Sequence, residues 1–529
     1  MIPAMIGQRP TFALLLLLAL VLARARVPAD DASPIVPTVL PLFDVVNNRR
    51  GAIDFSRAGM QQLEAAQALW QRAEVLLEAP PGGDATGVIQ QALDDLGEAG
   101  GGTLRLGPGI WPLRAEGLRV RHSGVRLMGA GVGLTRLSVT DTYTRRQTTL
   151  LIGSASPATW LGSHGYPDSW PRHGEGASVE MLTVDAPAGE ALVRVANPAL
   201  AEPGDLVIVT ANATAAFIAD HNMTGIWTSQ MDHPTVMRRV EVRYPYGYRL
   251  DMPIAYPMRT RDGVRIFPAR GVVQHVGLMG FSLEHAPNPA SDFESGVGAF
   301  ETAQATAIKV VNASDVLIED IHMPMVPSRG VEVAYARHVT VRRVRIDGSQ
   351  NTNGEWNGYH FFVWGCDNLF EQCEAAGGRR GFSILMAMSS GNVVHRCRSV
   401  SPRLYSDFHM HLSQRNLIDT FEGLGDAWDA QFRKTGTPIP HGISGTENVF
   451  WNITSDQPVV VRSAQHGRGW VVGTQGAGAV ARESEVYFAA PPLDHVEAVG
   501  QGHRLQPASL FEYQRAWRAT LANHGIIMR

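Results

Sequence analysis

The sequence predicts an all-β chain wound as a right-handed parallel β-helix, with an N-terminal capping helix, a β-rich insertion and a C-terminal helix. Three observations carry this. First, a short phrase recurs, a turn residue followed by an apolar pair: Ser314-Asp315-Val316-Leu317, Arg337-His338-Val339-Thr340, Asp367-Asn368-Leu369-Phe370, Gly391-Asn392-Val393-Val394, Arg415-Asn416-Leu417-Ile418 and Glu447-Asn448-Val449-Phe450. From Val316 the steps are 23, 30, 24, 24 and 32 residues, a period near 24 interrupted by two loops, as in a solenoid. Second, the composition is 44% hydrophobic and 18% charged with 54 glycines, which suits many short strands and tight turns. Third, an amphipathic helix precedes the first strands, as an open solenoid end requires.

The same numbers exclude some functions. Among 529 residues the net charge of −4 gives no basic field for nucleic acid. Three cysteines cannot form a disulfide framework.

Taken in order, residues 1–25 read as a signal peptide: Arg9, an apolar run over 12–23, and Ala23-Arg24-Ala25 as a small-x-small site with cleavage near Ala25. The run is short for a bilayer, so a secreted or periplasmic protein with no stable membrane span is expected once it is removed. Residues 26–82 are a Pro- and Ala-rich arm with one helical stretch over 61–77. Residues 83–159 hold the cap and the first coils. Asp84 can cap a helix with Val88, Ile89, Ala92, Leu93 and Leu96 on one face, stopped by Gly100-Gly101-Gly102. The strand Thr103-Leu104-Arg105-Leu106 follows, then the turn Gly107-Pro108-Gly109.

These residues carry a resemblance. Gly83-Asp84-Ala85-Thr86, Ile89-Gln90, the triple-glycine break, Leu106-Gly107-Pro108-Gly109-Ile110-Trp111 and Gly124-Val125-Arg126-Leu127-Met128-Gly129-Ala130-Gly131 look like the opening of the pectate-lyase-like right-handed parallel β-helix superfamily. Gly358-Tyr359-His360, Gly381-Phe382-Ser383 and Asp407-Phe408-His409 resemble its secreted bacterial members, related to polygalacturonases and associated with polysaccharide breakdown. The resemblance implies the fold and a glycan substrate, but no catalytic assignment. It departs from polygalacturonases, because Asn351-Thr352-Asn353 lacks their acid and Arg345-Ile346-Asp347 lacks their lysine. The Gly129–Gly133 glycines lead into Leu137-Ser138-Val139-Thr140, strand-like residues and not the helix that a dinucleotide site needs.

Residues 160–270 lose the coil rhythm and read as a β-rich insertion, with Trp227, His233, Tyr244, Tyr246 and Tyr248 as aromatic surface. Residues 271–480 form the main β-helix with the site, the turn asparagines serving because Asn accepts the left-handed conformation and bonds its own backbone. Cys373 and Cys397, 24 residues apart, stack in the core, with a disulfide between them left open. Residues 481–529 end in a helix opened by the capping box Ser509-Leu510-Phe511-Glu512, with Leu510, Tyr513, Trp517 and Leu521 on its buried face.

Chemistry concentrates at Asp407-Phe408-His409-Met410-His411-Leu412. Strict alternation turns Phe408, Met410 and Leu412 inward and Asp407, His409 and His411 outward. Imidazoles can transfer protons and a carboxylate can orient them. Residues two apart on a strand can also share an ion, which makes a divalent metal (Ca or Zn) a candidate cofactor. Arg379 and Arg380 sit one coil upstream, suited to clamping a carboxylate. One coil further back, Tyr359 offers a proton and His360 and Trp364 a sugar-binding face. The loop of the 32-residue step adds Trp428 and His441 as substrate contacts. The expected catalytic set is therefore His409, Asp407, His411, Arg380 and Tyr359. The expected partner is a polysaccharide or oligosaccharide.

Three functions fit. A polysaccharide lyase would use His409 as base, Arg380 as carboxylate clamp, and Tyr359 or His411 as acid. A glycoside hydrolase would use Asp407 with Asp426, Asp429 or Glu447. A glycan-binding or adhesion solenoid would use none of them.

Overall fold

The computed structural model describes residues 33–45, 52–153, 179–231, 233–291, 298, 300–354, 356–436, 439–482 and 493–523. The expected signal peptide lies outside the described residues. Among those described, no helix is long and apolar enough to cross a membrane.

Among the described residues, twenty-six strands join in one continuous sheet of parallel pairs that winds as a right-handed parallel β-helix. One turn shows the plan. Val125–Gly129, Thr135–Val139 and Thr148–Ile152 lie on three successive faces, and each pairs in parallel with Gly102–Leu106, Gly109–Leu113 and Leu118–Val120 of the turn before. Alternate side chains point inward, and equivalent positions stack at about 4.8 Å per turn. Leu104, Leu127, Leu278, Ile318, Val341, Phe370, Val394, Ile418, Phe450 and Val471 form one such column by direct register. All ten are buried. The sequence period near 24 is this column seen in one dimension.

The asparagines do a different job from the one expected. The residue that takes the left-handed conformation is the one before each Asn: Asp367, Gly391, Arg415 and Glu447 all have φ between 46° and 69°. Asn368, Asn392, Asn416 and Asn448 are wholly buried, and each amide bonds to the next. Nδ2 of one donates to Oδ1 of the following one at 2.9 Å in all three steps. The same oxygens also accept from the backbone N–H of the preceding Asn at 3.0–3.1 Å. The ladder therefore satisfies polar groups in the interior and holds coil to coil. The register also slips by one residue in the 30-residue step, since Thr340 rather than Val339 pairs with Leu369.

The capping helix spans Thr86–Glu98 and buries Ile89, Leu93 and Leu96 over the first coil. Asp84 does not cap it directly; its Oδ1 accepts from the Thr86 N–H and hydroxyl at 2.9 and 2.6 Å, fixing the turn before the helix. The helical stretch expected over 61–77 is shorter. A helix covers Leu63–Trp70, and Glu74–Leu77 is a strand paired with Gly102–Leu106. That strand satisfies the edge of the first rung, so sheet pairing overrides helical pattern there.

The insertion is a six-stranded antiparallel sheet. Leu206, Ile208, Met237 and Phe267 on its inner face pack against Tyr335, Tyr359, Phe362 and Trp364 of the stack. Two buried ion pairs fasten it, Arg238–Asp367 and Arg337–Asp251, each at 2.7 Å. Its aromatic residues are not all surface: Tyr248 and Trp227 are buried, whereas Tyr246 is exposed and stacks on Tyr244.

The C-terminal helix, Leu510–Asn523, packs on the outside of the stack with Phe43, Leu369, Val393, Leu417 and Val449. Its buried face is Leu510, Phe511, Gln514 and Leu521, while Trp517 is exposed. Gln514 decides that orientation, because it bonds the Phe55 N–H and the Phe43 and Ile53 carbonyls of the arm. Only half of the expected capping box forms. Ser509 accepts the Glu512 N–H at 3.1 Å, and Glu512 pairs with Arg396 instead. All three cysteines are free thiols in the interior, with Cys397 Sγ 3.4 Å from the Cys373 N–H.

Candidate active site

On one face the strands Tyr359–Cys366, Arg380–Ile384, Ser406–Phe408, Trp428–Ala430 and Val459–Ser463 lie side by side. Phe361, Phe382, Phe408 and Trp428 point into the core, with Phe361 stacked on Phe382 at 4.9 Å. The opposite parity builds a column: Phe362, Ser383, Asp407, Asp429 and Arg462 in direct register.

Asp407 is the hub. It is fully buried, and both oxygens are engaged. Oδ1 accepts from the Ser383 hydroxyl at 2.6 Å. Oδ2 receives His409 Nδ1 at 2.7 Å, Arg433 at 3.0 Å and Arg380 at 3.1 Å. Burial alone would push this carboxyl up, but Arg380, His409 and Arg433 outweigh it and hold it well below the usual carboxylate range. An ionised carboxylate only accepts, so the His409 proton sits on Nδ1 and Nε2 is the basic nitrogen. Burial, against the opposing pull of Asp407, lowers His409 to about 4, so the imidazole is neutral at pH 7.

Around His409 stand three rings. Tyr359 lies at 6.0 Å, Trp356 at 5.7 Å and His441 at 4.6 Å between centroids. Burial raises the Tyr359 hydroxyl, which bonds Arg380 and keeps its proton at neutral pH. Burial and the neighbouring His409, His411 and Arg433 lower His441 to about 3. Asp429 is raised, first by burial and then by Asp407, although Arg433 at 3.1 Å opposes this. The two long steps of the coil period supply the loop residues here: Trp356 from one, Arg433 and His441 from the other. An antiparallel bridge between Arg433 and Gly442 places the latter pair.

Of the ten residues singled out by sequence, the structure gathers Asp407, His409, Tyr359, Arg380, Arg379 and His441. The expected roles or placements of several are corrected. Arg380 is buried and committed to Asp407, Tyr359 and the Tyr405 carbonyl, so it cannot act as an open clamp. Arg379 is half-buried, its guanidinium 3.4 Å from the Thr352 carbonyl and electrostatically felt by Tyr359. His411 is buried rather than outward. The strand ends at Phe408, and positive φ at His411 and Leu412 turns the chain, so alternation fails. Met410 and Leu412 accordingly pack in side clusters against the insertion, not in the coil core. Trp428 is a core residue packed between Phe408 and Phe421. His360 is wholly buried with both ring nitrogens unbonded, and burial lowers it to about 3. Trp364 is buried between stack and insertion against Tyr335 and Trp356. Among the described residues, no group of three or more His, Cys, Asp or Glu side chains is placed to hold a metal ion. Asp407, His409 and His411 miss this because the turn at His411 carries the second imidazole away.

Sequence reading missed Ser383 and Trp356 as site residues, had Arg433 only as one member of the charged loop of the 32-residue step, and had Asp429 only as an alternative acid. The coil period could have found Ser383, which stands 24 residues before Asp407. Nothing comparable marks Trp356, since loops carry no period.

No protein-family model and no curated protein matches the sequence. Among solved structures the chain is similar to the Gp54 tailspike of Acinetobacter baumannii bacteriophage AP22, solved in complex with A. baumannii capsular saccharide. The identity is 9%, over 80% of this chain and 67% of that one, with a TM-score of 0.44. It is similar to the tailspike gp61 of Pseudomonas phage phi297 at 12% identity, over 85% of this chain and 74% of that one, with a TM-score of 0.40. It is also similar to alginate lyase from Paenibacillus sp. strain FPU-7 at 9% identity, over 80% and 98% of the two chains, with a TM-score of 0.40.

Proposed function

We propose that this chain is an exported carbohydrate-active enzyme that cleaves a uronate-containing polysaccharide by β-elimination. The supporting observation is the pairing of a neutral imidazole, oriented by a buried carboxylate, with a protonated tyrosine 6.0 Å away. His409 Nε2 takes the proton α to the uronate carboxylate. The electron pair of that C–H bond forms the new C4–C5 double bond, and the C4–O bond breaks. Tyr359 gives its proton to the leaving oxygen, and solvent restores both groups. Arg379, the half-exposed guanidinium beside Tyr359, neutralises the substrate carboxylate, the role expected of Arg380 from sequence. Asp407, with Arg380, Arg433 and Ser383 around it, fixes the tautomer and position of His409.

The test is a panel of polyuronates followed by ultraviolet absorbance for the new double bond. Absence of any rise on every polyuronate sinks the elimination reading. Reducing ends without absorbance would indicate hydrolysis, the second reading, which the raised carboxyl of Asp429 favours as a proton donor. His409→Ala is expected to lower turnover about 10²–10⁴-fold, the range for losing a general base. Its thermal midpoint should stay near the parent value. Retained turnover would remove His409 from the mechanism.

A further inference from the structure

A cavity of about 240 Å³ lies beside the site, between the insertion and a later coil of the stack. The helix Ala215–Asp220, the segment from Tyr256 to Asp262 and His466 enclose it. One wall is aromatic: His221 lies 4.3 Å from Phe217, 4.7 Å from His466 and 5.8 Å from Tyr256 between ring centroids. The other wall is charged but balanced. Arg259 and Arg261 both reach Asp220, and Arg261 also lies 3.5 Å from Asp262. His221 is tied by its ring nitrogens to the Phe217 carbonyl and the Tyr256 hydroxyl, each at 2.7 Å. Burial lowers His221 to about 4 and raises Tyr256, so both are neutral at working pH. The two arginines and two aspartates cancel, and an anion gains no net attraction here.

The cavity is also one side chain away from the catalytic face. Trp227 lies 6.0 Å from the His221 ring and donates its Nε1–H to the His441 carbonyl at 3.1 Å. His466 belongs to the coil after that of Gly445, which itself follows the His409 coil. Two coils amount to roughly 10 Å along the stack.

We infer that this cavity is a binding subsite for one uncharged pyranose residue of the polysaccharide, held by its hydroxyls and its apolar ring face. The inference deepens the glycan-cleaving reading and rests on it. Paired Arg and Asp side chains offer donors and acceptors side by side, which matches hydroxyls that are both. Aromatic rings cover the C–H face. The volume is below the ~300–1,000 Å³ of sites for larger ligands and suits a single ring. The substrate would therefore be a mixed glycan, with neutral sugars recognised apart from the uronate at the point of cleavage.

The probes are the methyl glycosides of mannose, galactose, glucose and glucuronate, read by saturation-transfer NMR on the full chain. At least one neutral glycoside is expected to bind, with the glucuronide weaker. Arg261→Ala and, on the exposed rim, Arg259→Ala should each weaken that binding about 10-fold or more, while His409→Ala leaves it unchanged. No binding of any neutral glycoside, equal or tighter binding of the glucuronide, or binding indifferent to both arginine variants each overturns the inference. These outcomes are separate from the absorbance assay on polyuronates. A chain that eliminates normally yet fails here loses only the subsite, and a chain that binds here without eliminating loses only the lyase chemistry.

Discussion

Asp407 and Asp419 stand on two faces of the same turn, both wholly buried, and their acidities are shifted in opposite directions. Asp407 meets two guanidiniums and is kept ionised. Asp419 accepts from the Ser509 hydroxyl at 2.7 Å and the Phe511 N–H at 2.8 Å, where the C-terminal helix begins. Its Oδ1 has no hydrogen-bond donor, and burial, against the opposing effect of His395 and those two donors, pushes it up to about 6. Burial is the same for both, so the guanidiniums decide. The carboxylate bonded to an imidazole is surrounded by fixed cations, whereas the one that clasps a helix has neutral donors and holds its proton more tightly.

The largest effect should come from removing the hub. Asp407→Ala leaves Arg380 buried without its carboxylate partner and Arg433 with Asp429 alone, and should cost about 3–5 kcal/mol in guanidinium denaturation, with activity lost as well. A loss under 1 kcal/mol would mean that the cations are not held by Asp407. Next, the neighbouring arginines should separate. Arg380→Ala should destabilise on a similar scale, whereas Arg379→Ala should leave stability within about 0.5 kcal/mol and raise KM about 10–100-fold on a polyuronate, the worth of one charged hydrogen bond. The reverse pattern would restore Arg380 as the clamp.

Asp419 offers a smaller effect with a definite pH signature. Its folded value lies above the unfolded one, so as pH rises from about 4 to about 6 the unfolded chain loses a proton that the folded chain keeps, and stability falls. Asp419→Asn removes that titration. The variant's stability relative to the parent should be constant below about pH 4 and grow through about pH 6 by on the order of 3 kcal/mol. A difference that does not change with pH would contradict the raised state. The smallest effect is expected of Ser383→Ala, about 1 kcal/mol, because Asp407 keeps three other partners.

How much of this was legible follows from which features repeat. Phe370, Val394 and Ile418 advertise the coil because the same inward position recurs each turn, and the recurrence survives in a single sequence. The asparagines were visible for the same reason, but their role was not: an amide column bonded across coils and an amide bonded to its own turn leave the same spacing. At the site, Asp407 was found because it lies on a strand, whose parity is readable; His409 stands one residue past the end of that strand, and Tyr359 begins the strand two coils back. His411 was misplaced because a strand's end is set by backbone torsion at His411 and Leu412, which period-two counting cannot register. Trp428 and Trp364 were misplaced because an aromatic looks alike in a core, in an interdomain seam and in a groove. Arg379 and Arg380 are adjacent and chemically identical, and only their neighbours in three dimensions distinguish the structural cation from the one that can meet substrate.

The insertion enters after Ile152 and returns at Val273, yet the coils on either side of it pair directly, Gly277 with Arg126 and Ser282 with Arg136. The rungs thus close without it, and the column bearing Ser383, Asp407 and Asp429 takes no residue from it. What it contributes is the wall of the neighbouring cavity. On the proposed function, reaction and choice of sugar would lie in separate stretches of chain. A different guest segment, grafted at the same corner and keeping an apolar inner face for Phe362 and Trp364, would present a new glycan to an unaltered base.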